Sequence, residues 1–167
     1  KQFACDAAQV PAYGLLINSD DEIYMIMNYS STCFLDGTTT LGHQGLGDAV
    51  LVSVSSSGVL ESHLAFNGDY AQYFSAVKLI SSDTILLSGY FFDNYTLRLT
   101  EYETPEGEPR EHCILASART TDLKPNWTAH IQGCREPSSS NPHRAFITNS
   151  SVSDNIALAS EFSGTLS

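Results

Sequence analysis

The most regular feature of the chain is a phrase made of two short apolar runs around a polar break. It occurs from Tyr13 to Ser30 (YGLLINSDDEIYMIMNYS), from Ala76 to Asp93 (AVKLISSDTILLSGYFFD) and from Ala145 to Gly164 (AFITNSSVSDNIALASEFSG). A second phrase alternates with it. Residues 49–68 (AVLVSVSSSGVLESHLAFNG) align on residues 113–133 (CILASARTTDLKPNWTAHIQG) with a one-residue gap. Ile23 corresponds to Ile85, an offset of 62, and Ala49 corresponds to Cys113, an offset of 64. The third copy of the first phrase lies 71 residues further on, at Ile156. Two different phrases share one period of roughly 65 residues, and such self-similarity is the mark of a repeat architecture.

Each phrase predicts a β-hairpin. Val50, Val52 and Val54 alternate with Leu51, Ser53 and Ser55, the period of two that sends successive side chains to opposite faces of a strand. The breaks carry Ser, Asp, Asn and Gly, which bend the chain and bond to their own backbone. No window of helical length shows a 3.6-residue spacing. The expectation is an all-β fold with hairpins at 13–30, 49–68, 76–93, 113–133 and 145–162, built from repeated four-stranded antiparallel units. A four-stranded antiparallel unit has the strand count of a β-propeller blade. The chain divides into a first hairpin and connecting loop at 1–40, a second hairpin at 41–70, a second repeat at 71–142 and the first hairpin of a third repeat at 143–167. About two and a half units are present, all part of one propeller-like domain.

The two phrases resemble the β-propeller repeats of the SBBP type found in secreted and surface proteins. The residues that carry the resemblance are Ala76, Val77, Ser88 and Gly89 in the first phrase, and Gly47, Asp48, Ala49, Val50, Gly58, Phe66 and Gly68 in the second. Trp127 stands near the Trp of that family's repeat. Two departures are visible: the Asp83-Thr84 turn lacks the usual Gly, and residues 93–112 and 134–142 insert loops. The resemblance implies a propeller fold outside the cytosol and no particular activity. Propellers use about four to eight blades, so two and a half units imply either a piece of a longer protein or a protomer whose open strand edges are completed by neighbours.

Charge narrows the partners. Lys and Arg number 8 against 19 Asp and Glu, a formal net charge of −11, which repels phosphate backbones and anionic lipid surfaces. No nucleic acid partner is expected. No run approaches the roughly 20 apolar residues of a membrane helix, so no membrane insertion is expected either. The chain begins at Lys1 without a leader, which points to a removed signal peptide or to a piece of something longer. Four of the eight Asn head N-x-S/T sequons, Asn28, Asn94, Asn126 and Asn149, and are candidate N-glycosylation sites, with Asn28 and Asn94 placed where side chains should reach solvent.

The four cysteines, Cys5, Cys33, Cys113 and Cys134, have no CxxC spacing and read as disulfides rather than zinc ligands. Extending the first hairpin beyond its strand ends, away from the turn near Ser19 to Glu22, brings Cys5 near Cys33. Extending the fourth, which turns near Thr121 to Lys124, brings Cys113 near Cys134.

Candidate chemistry is sparse. The five histidines, His43, His63, His112, His130 and His143, show no metal-pair spacing, and His63 and His130 fall close together in the repeat alignment on the fourth strand. GHQGLG (42–47) precedes a strand rather than opening a helix, which is wrong for a phosphate loop, and reads as a flexible loop between hairpins. The segment from Thr100 to His112 holds five Glu around two Pro and reads as a solvated acidic loop, with a weak calcium site as the alternative. Asp20-Asp21-Glu22 and Ser55 to Gly58 read as turns, and no GxSxG is present. Tyr70, Tyr73, Phe74, Tyr90, Phe91, Phe92 and Tyr95 are expected to fill the space between stacked units. No catalytic residue, metal or cofactor is assigned.

The function expected is that of an extracellular structural or interaction glycoprotein at the cell surface. It would be no enzyme, and would be part of an assembly or filament, partnered by itself or by other chains through edge or blade packing. The alternative is a carbohydrate-binding or glycoside-cleaving propeller.

Overall fold

The computed structural model describes residues 4–5, 12–98, 100–104, 111–132, 146–149 and 156–159. Among them there is no helix. The strands are, in chain order, β1 (Ala4–Cys5), β2 (Ala12–Ile17), β3 (Ile23–Tyr29), β4 (Cys33–Phe34), β5 (Thr40–Leu41), β6 (Asp48–Val54), β7 (Leu60–Asn67) and β8 (Gln72–Ser81). They continue with β9 (Thr84–Phe92), β10 (Tyr95–Leu97), β11 (Thr100–Tyr102), β12 (Glu111–Arg119), β13 (Pro125–Gln132), β14 (Phe146–Asn149) and β15 (Ile156–Ala159). The five expected hairpins are β2–β3, β6–β7, β8–β9, β12–β13 and β14–β15, each antiparallel.

The hairpins join into two consecutive up-and-down meanders. The first sheet runs β2-β3-β6-β7 and is extended at β7 by β10 and β11; the second runs β8-β9-β12-β13. Their registers coincide. Gly14 pairs with Ile26 and Ile17 with Ile23, while Ala76 pairs with Ser88 and Leu79 with Ile85, every residue 62 places on. A bulge lies between Ala12 and Gly14 in one sheet and between Phe74 and Ala76 in the other, again 62 on. Tyr29 pairs with Asp48 and Phe91 with His112, at offsets of 62 and 64. A second bulge, at Ser53/Val54, recurs 64 residues later at Ser117/Ala118. A one-residue slip would send every side chain to the wrong face, so the shared bulges and registers give the two sheets corresponding faces, and the sheets meet through opposite ones: the Tyr24–Ile26 face of the first packs on the Ile85–Leu87 face of the second, which corresponds to Ile23 and Met25.

The two sheets pack face to face. Tyr24, Ile26, Leu51, Leu64 and Phe66 of the first meet Phe74, Ile85, Leu87, Phe91, Ile114 and Ala116 of the second in one core, all at most 1% exposed. Phe66 stacks on Phe74 at 5.0 Å between ring centroids. The other face of the first sheet forms a second core, in which Val50, Val52 and Met27 lie under Cys33, Leu35 and Leu41. All seven residues of β6 are therefore buried, because apolar side chains on both faces find cover. Strand β8 lies beside β2 and β3, and β14 lies beside β8. Strands β2, β8 and β14 are thus neighbours in turn. None of the described sheets closes on itself.

Turns follow their residue types. The Asn18 side-chain oxygen accepts the backbone N–H groups of Asp20 and Glu22, each at 2.9 Å. Ser55 Oγ accepts the Val59 N–H at 3.1 Å, with Gly58 at a positive φ of 78°, a conformation open to glycine.

Four sequence expectations change. The segment 93–112 is no plain loop, because β10 and β11 form a hairpin that pairs with β7 through Leu97 opposite Phe66. The 30–40 connection likewise carries β4 and β5, which form a small sheet with β1. Cys5 does stand directly opposite Cys33, but on that separate sheet and not as an extension of the first hairpin. GHQGLG is tied to the next crossover at its C-terminal end: Leu46 N–H bonds to the Tyr70 carbonyl at 3.1 Å, and Gln72 N–H to the Gly47 carbonyl at 2.8 Å. Gly45 has φ +65°, and a Cβ there would lie 2.2 Å from the Asp69 backbone. The loop clamps the crossover from one sheet to the next.

Candidate functional site

Polar groups enter the core at one end of each sheet, and the repeat puts them at equivalent places. Asp48, opposite Tyr29, and His112, opposite Phe91, are both fully buried. A strand residue at such a place would ordinarily be apolar, so each needs a physical account.

Asp48 ties three segments together. Its carboxylate accepts the Gln44 N–H at 2.7 Å, the Gly68 N–H at 3.2 Å and His43 Nδ1 at 3.1 Å. Burial raises its pKa, opposed by the hydrogen bonds of Gln44 and Gly68 and by the charge of His43. The neighbouring Tyr29 hydroxyl pairs with the Asn67 side-chain oxygen at 3.0 Å, and burial together with the Asp48 charge raises its pKa. This end of the first sheet is a polar knot that holds the 42–47 loop and the β7–β8 crossover in place.

The equivalent end of the second sheet is aromatic. His112 stacks on Phe91 at 5.0 Å with an interplanar angle of 11°, and among the described residues neither of its ring nitrogens has a hydrogen-bond partner. His130, on β13, meets the Tyr95 hydroxyl at 2.6 Å through Nε2, and the Tyr102 ring lies 4.1 Å from its own. Burial pushes the Tyr95 pKa up to about 12, and burial together with the charge of His112 lowers that of His130. A tyrosine held protonated beside an imidazole held neutral is a donor–acceptor pair: O–H donates to Nε2. It positions β10 against β13 and keeps the phenol from being a ready nucleophile.

The sign of the pH effect follows from that pair. His130 has a folded pKa below its ordinary 6.5, so the unfolded chain takes up a proton first and stability falls as pH drops through and below 6.5. Protonation would also remove the acceptor for Tyr95. We expect the melting temperature to decline from pH 7 to pH 5, and His130→Phe to flatten part of that decline. His63, whose pKa burial also lowers, would supply a slope of the same sign that remains.

The residues singled out in the sequence are scattered rather than gathered. Asn28 is 4% exposed; its amide donates to the Phe74 carbonyl at 3.2 Å and its oxygen accepts the Phe74 N–H at 3.1 Å. A glycan on that nitrogen is incompatible with this packing, so Asn28 is corrected from a surface sequon to a bridge between the sheets. Asn94 is exposed, its oxygen accepting the Thr104 N–H at 2.8 Å, and Asn126 is exposed on β13. Asn149 lies in β14, of which only the backbone is described. Neither Cys33 nor Cys113 is a free thiol; Cys134 and His143 lie outside the described residues. Of the acidic segment, Glu101 lies in β11 and Glu111 in β12, while 105–110 lie outside the described residues.

His63 and His130 are not equivalent, since His63 faces Val52 and His130 faces Ile114, two positions apart along the strand. Of the seven aromatics, Phe74, Phe91 and Tyr95 fill the space between the sheets as expected. Tyr73 and Tyr90 stack at 4.9 Å on the opposite face of the second sheet, where the Trp127 side chain is 43% exposed. Among the described residues no group of three or more His, Cys, Asp or Glu is placed to hold a metal ion.

Sequence reasoning had Asp48 only as one residue of a motif and missed Tyr95–His130 as a pair. The offset of 64 that joins Asp48 to His112 was available as a signal. In comparison with known proteins, the chain matches no protein-family model, no curated protein and no solved structure.

Proposed function

We propose that this chain is an array of β-propeller-type blades of the kind the SBBP resemblance implies, acting as a structural or interaction glycoprotein outside the cell rather than as an enzyme. The observation that carries the reading is the coincidence of register and bulge between two consecutive meanders stacked face to face. A polypeptide that repeats a sheet and stacks it on itself presents the same faces again and again, and such arrays serve as binding platforms. The buried polar groups described above hold loops and sheets to each other, which is a supporting role.

The extracellular part of the reading rests on cysteines and sequons. Cys5 opposite Cys33 on neighbouring strands has the Cα separation a disulfide requires, and we assign bridges Cys5–Cys33 and Cys113–Cys134. Sugars at Asn94 and Asn126 would face solvent. In protein made by a eukaryotic secretory host, peptide mass mapping is expected to find glycan on the Asn94 and Asn126 peptides and none on Asn28. A glycan on Asn28 in folded protein would overturn the placement of β3 against β8.

The rival is a propeller that binds or cleaves carbohydrate. A glycan array and a glycosidase screen separate the two. No binding or hydrolysis is expected; either activity, if abolished by changing residues within this chain, would replace the proposed reading.

A further inference from the structure

The first sheet has one face buried on the second sheet and one face that is covered only in part. On that latter face the β6 side chains and Met27 and Tyr29 of β3 are covered together with the β4–β5 segment, but the end of β2–β3 next to its turn lies open: Leu15 is 61% exposed, Ile17 57%, and Ile23 and Met25 are half-buried beside them. The cross-strand pairs Leu15–Met25 and Ile17–Ile23 put all four on one face. The residues 62 places on, Val77, Leu79, Ile85 and Leu87, occupy the same face of the second sheet. There they pack into the core against the first sheet. The open patch is therefore the counterpart of a formed interface.

The opening is two strands wide, and the chain carries a two-stranded piece of matching kind. The hairpin β14–β15 stands in the place of β2–β3 and β8–β9 in the next repeat, and β14 lies beside β8 as β8 lies beside β2. Its strands read FITN and IALA, apolar at Phe146, Ile147 and all four positions of β15, and polar at Thr148 and Asn149. The outer half of the open face is already occupied by β4 and β5, so a complete four-stranded sheet has no room there and a lone hairpin does.

We propose that the Leu15–Ile17–Ile23–Met25 face is the docking site for the β14–β15 hairpin of a second copy of this chain. The proposal rests on the reading of the chain as stacked blade-like units and names the surface and the segment that join. The contact is head to tail, with different surfaces on the two sides, so it closes into a ring or runs on as a filament. The driving force is apolar, and it works against the −11 charge of each copy, so salt should strengthen it by screening.

The test is sedimentation velocity and light scattering on the 167-residue chain across protein and salt concentration. Expected are species at multiples of 18.2 kDa, favoured by salt, and a loss of affinity of about 100-fold in Leu15→Glu/Ile17→Glu. Both side chains are exposed, so the variant should fold, and an unchanged melting temperature checks that it does. Ala157→Pro, which removes a backbone donor from β15, should also abolish association. A mixture of the two variants should regain a 1:1 complex, because each keeps the surface the other lost. Leu46→Glu, changing a side chain 71% exposed in the 42–47 loop, should have no effect. A chain that stays monomeric, or an association untouched by Leu15→Glu/Ile17→Glu, overturns the proposal and leaves the structural reading of the chain standing. Sugar binding or hydrolysis would remove that reading without altering the association measured here.

Discussion

Replacing Phe91 by alanine is expected to cost about 3–5 kcal/mol of folding stability, the usual range for deleting a buried aromatic ring. The position justifies the upper part of that range. Phe91 is fully buried, and its ring lies 4.6 Å from Tyr95, 5.0 Å from His112, 5.6 Å from Tyr102 and His130, and 6.4 Å from Phe66. Those neighbours come from five different strands on both sheets, so no single movement can fill the space. The cavity would also leave His112 with fewer contacts around its unpartnered nitrogens. Phe91→Leu should cost clearly less, since it retains most of the apolar volume, and Leu46→Ala should stay within about 0.5 kcal/mol, as exposed positions do. Equilibrium urea unfolding gives all three. A loss below about 1 kcal/mol for Phe91→Ala would mean that the two sheets do not share this core. Because the ring bridges them, one cooperative transition is expected for both sheets.

Asp48→Ala should cost about 2 kcal/mol, since it strips the acceptor from the buried Gly68 amide, and an unpaired buried group carries a penalty of about 1–3 kcal/mol, while the Gln44 amide belongs to an exposed residue and can turn to water. Asp48→Asn should cost less, because one oxygen still accepts. The two variants also separate charge from hydrogen bonding. Burial raises the Asp48 pKa in the folded protein, so the folded state binds that proton more readily than the unfolded chain does. This group by itself then favours folding most below its ordinary pKa of 3.8, and the benefit is lost as pH rises through the raised value. Asp48→Asn removes that slope. Hydrogen exchange at Leu46, Gly47 and Gln72, whose backbone bonds close the clamp, should accelerate in Asp48→Ala and little in Asp48→Asn. Equal protection in Asp48→Ala and the parent would show that the loop holds without the carboxylate.

The hairpins were legible in the chain because both of their signals are local. An alternating run such as AVLVSV and a turn such as SSSG act within a few residues, and copies at offsets of 62 and 64 reinforce each other. The sequence by itself determined an all-β chain of five hairpins, the pairing partners within each, and the order of two repeated phrases. Tertiary structure decided what lies between the phrases and which faces meet. The β10–β11 hairpin reads as a Glu- and Pro-rich loop because its partner strand β7 is about 30 residues earlier, and no local pattern reports a neighbour that distant. Asn28 reads as a surface sequon since the tripeptide is polar, yet its amide lies where the Phe74 backbone, 46 residues away, needs both a donor and an acceptor. The offset of 64 already places Asp48 and His112 at corresponding positions in the sequence, but only the packed structure shows that they fill that place with opposite solutions, a hydrogen-bonded carboxylate and a stacked imidazole. Burial and long-range partners set the meaning of a polar residue, and these exist only after the sheets have packed.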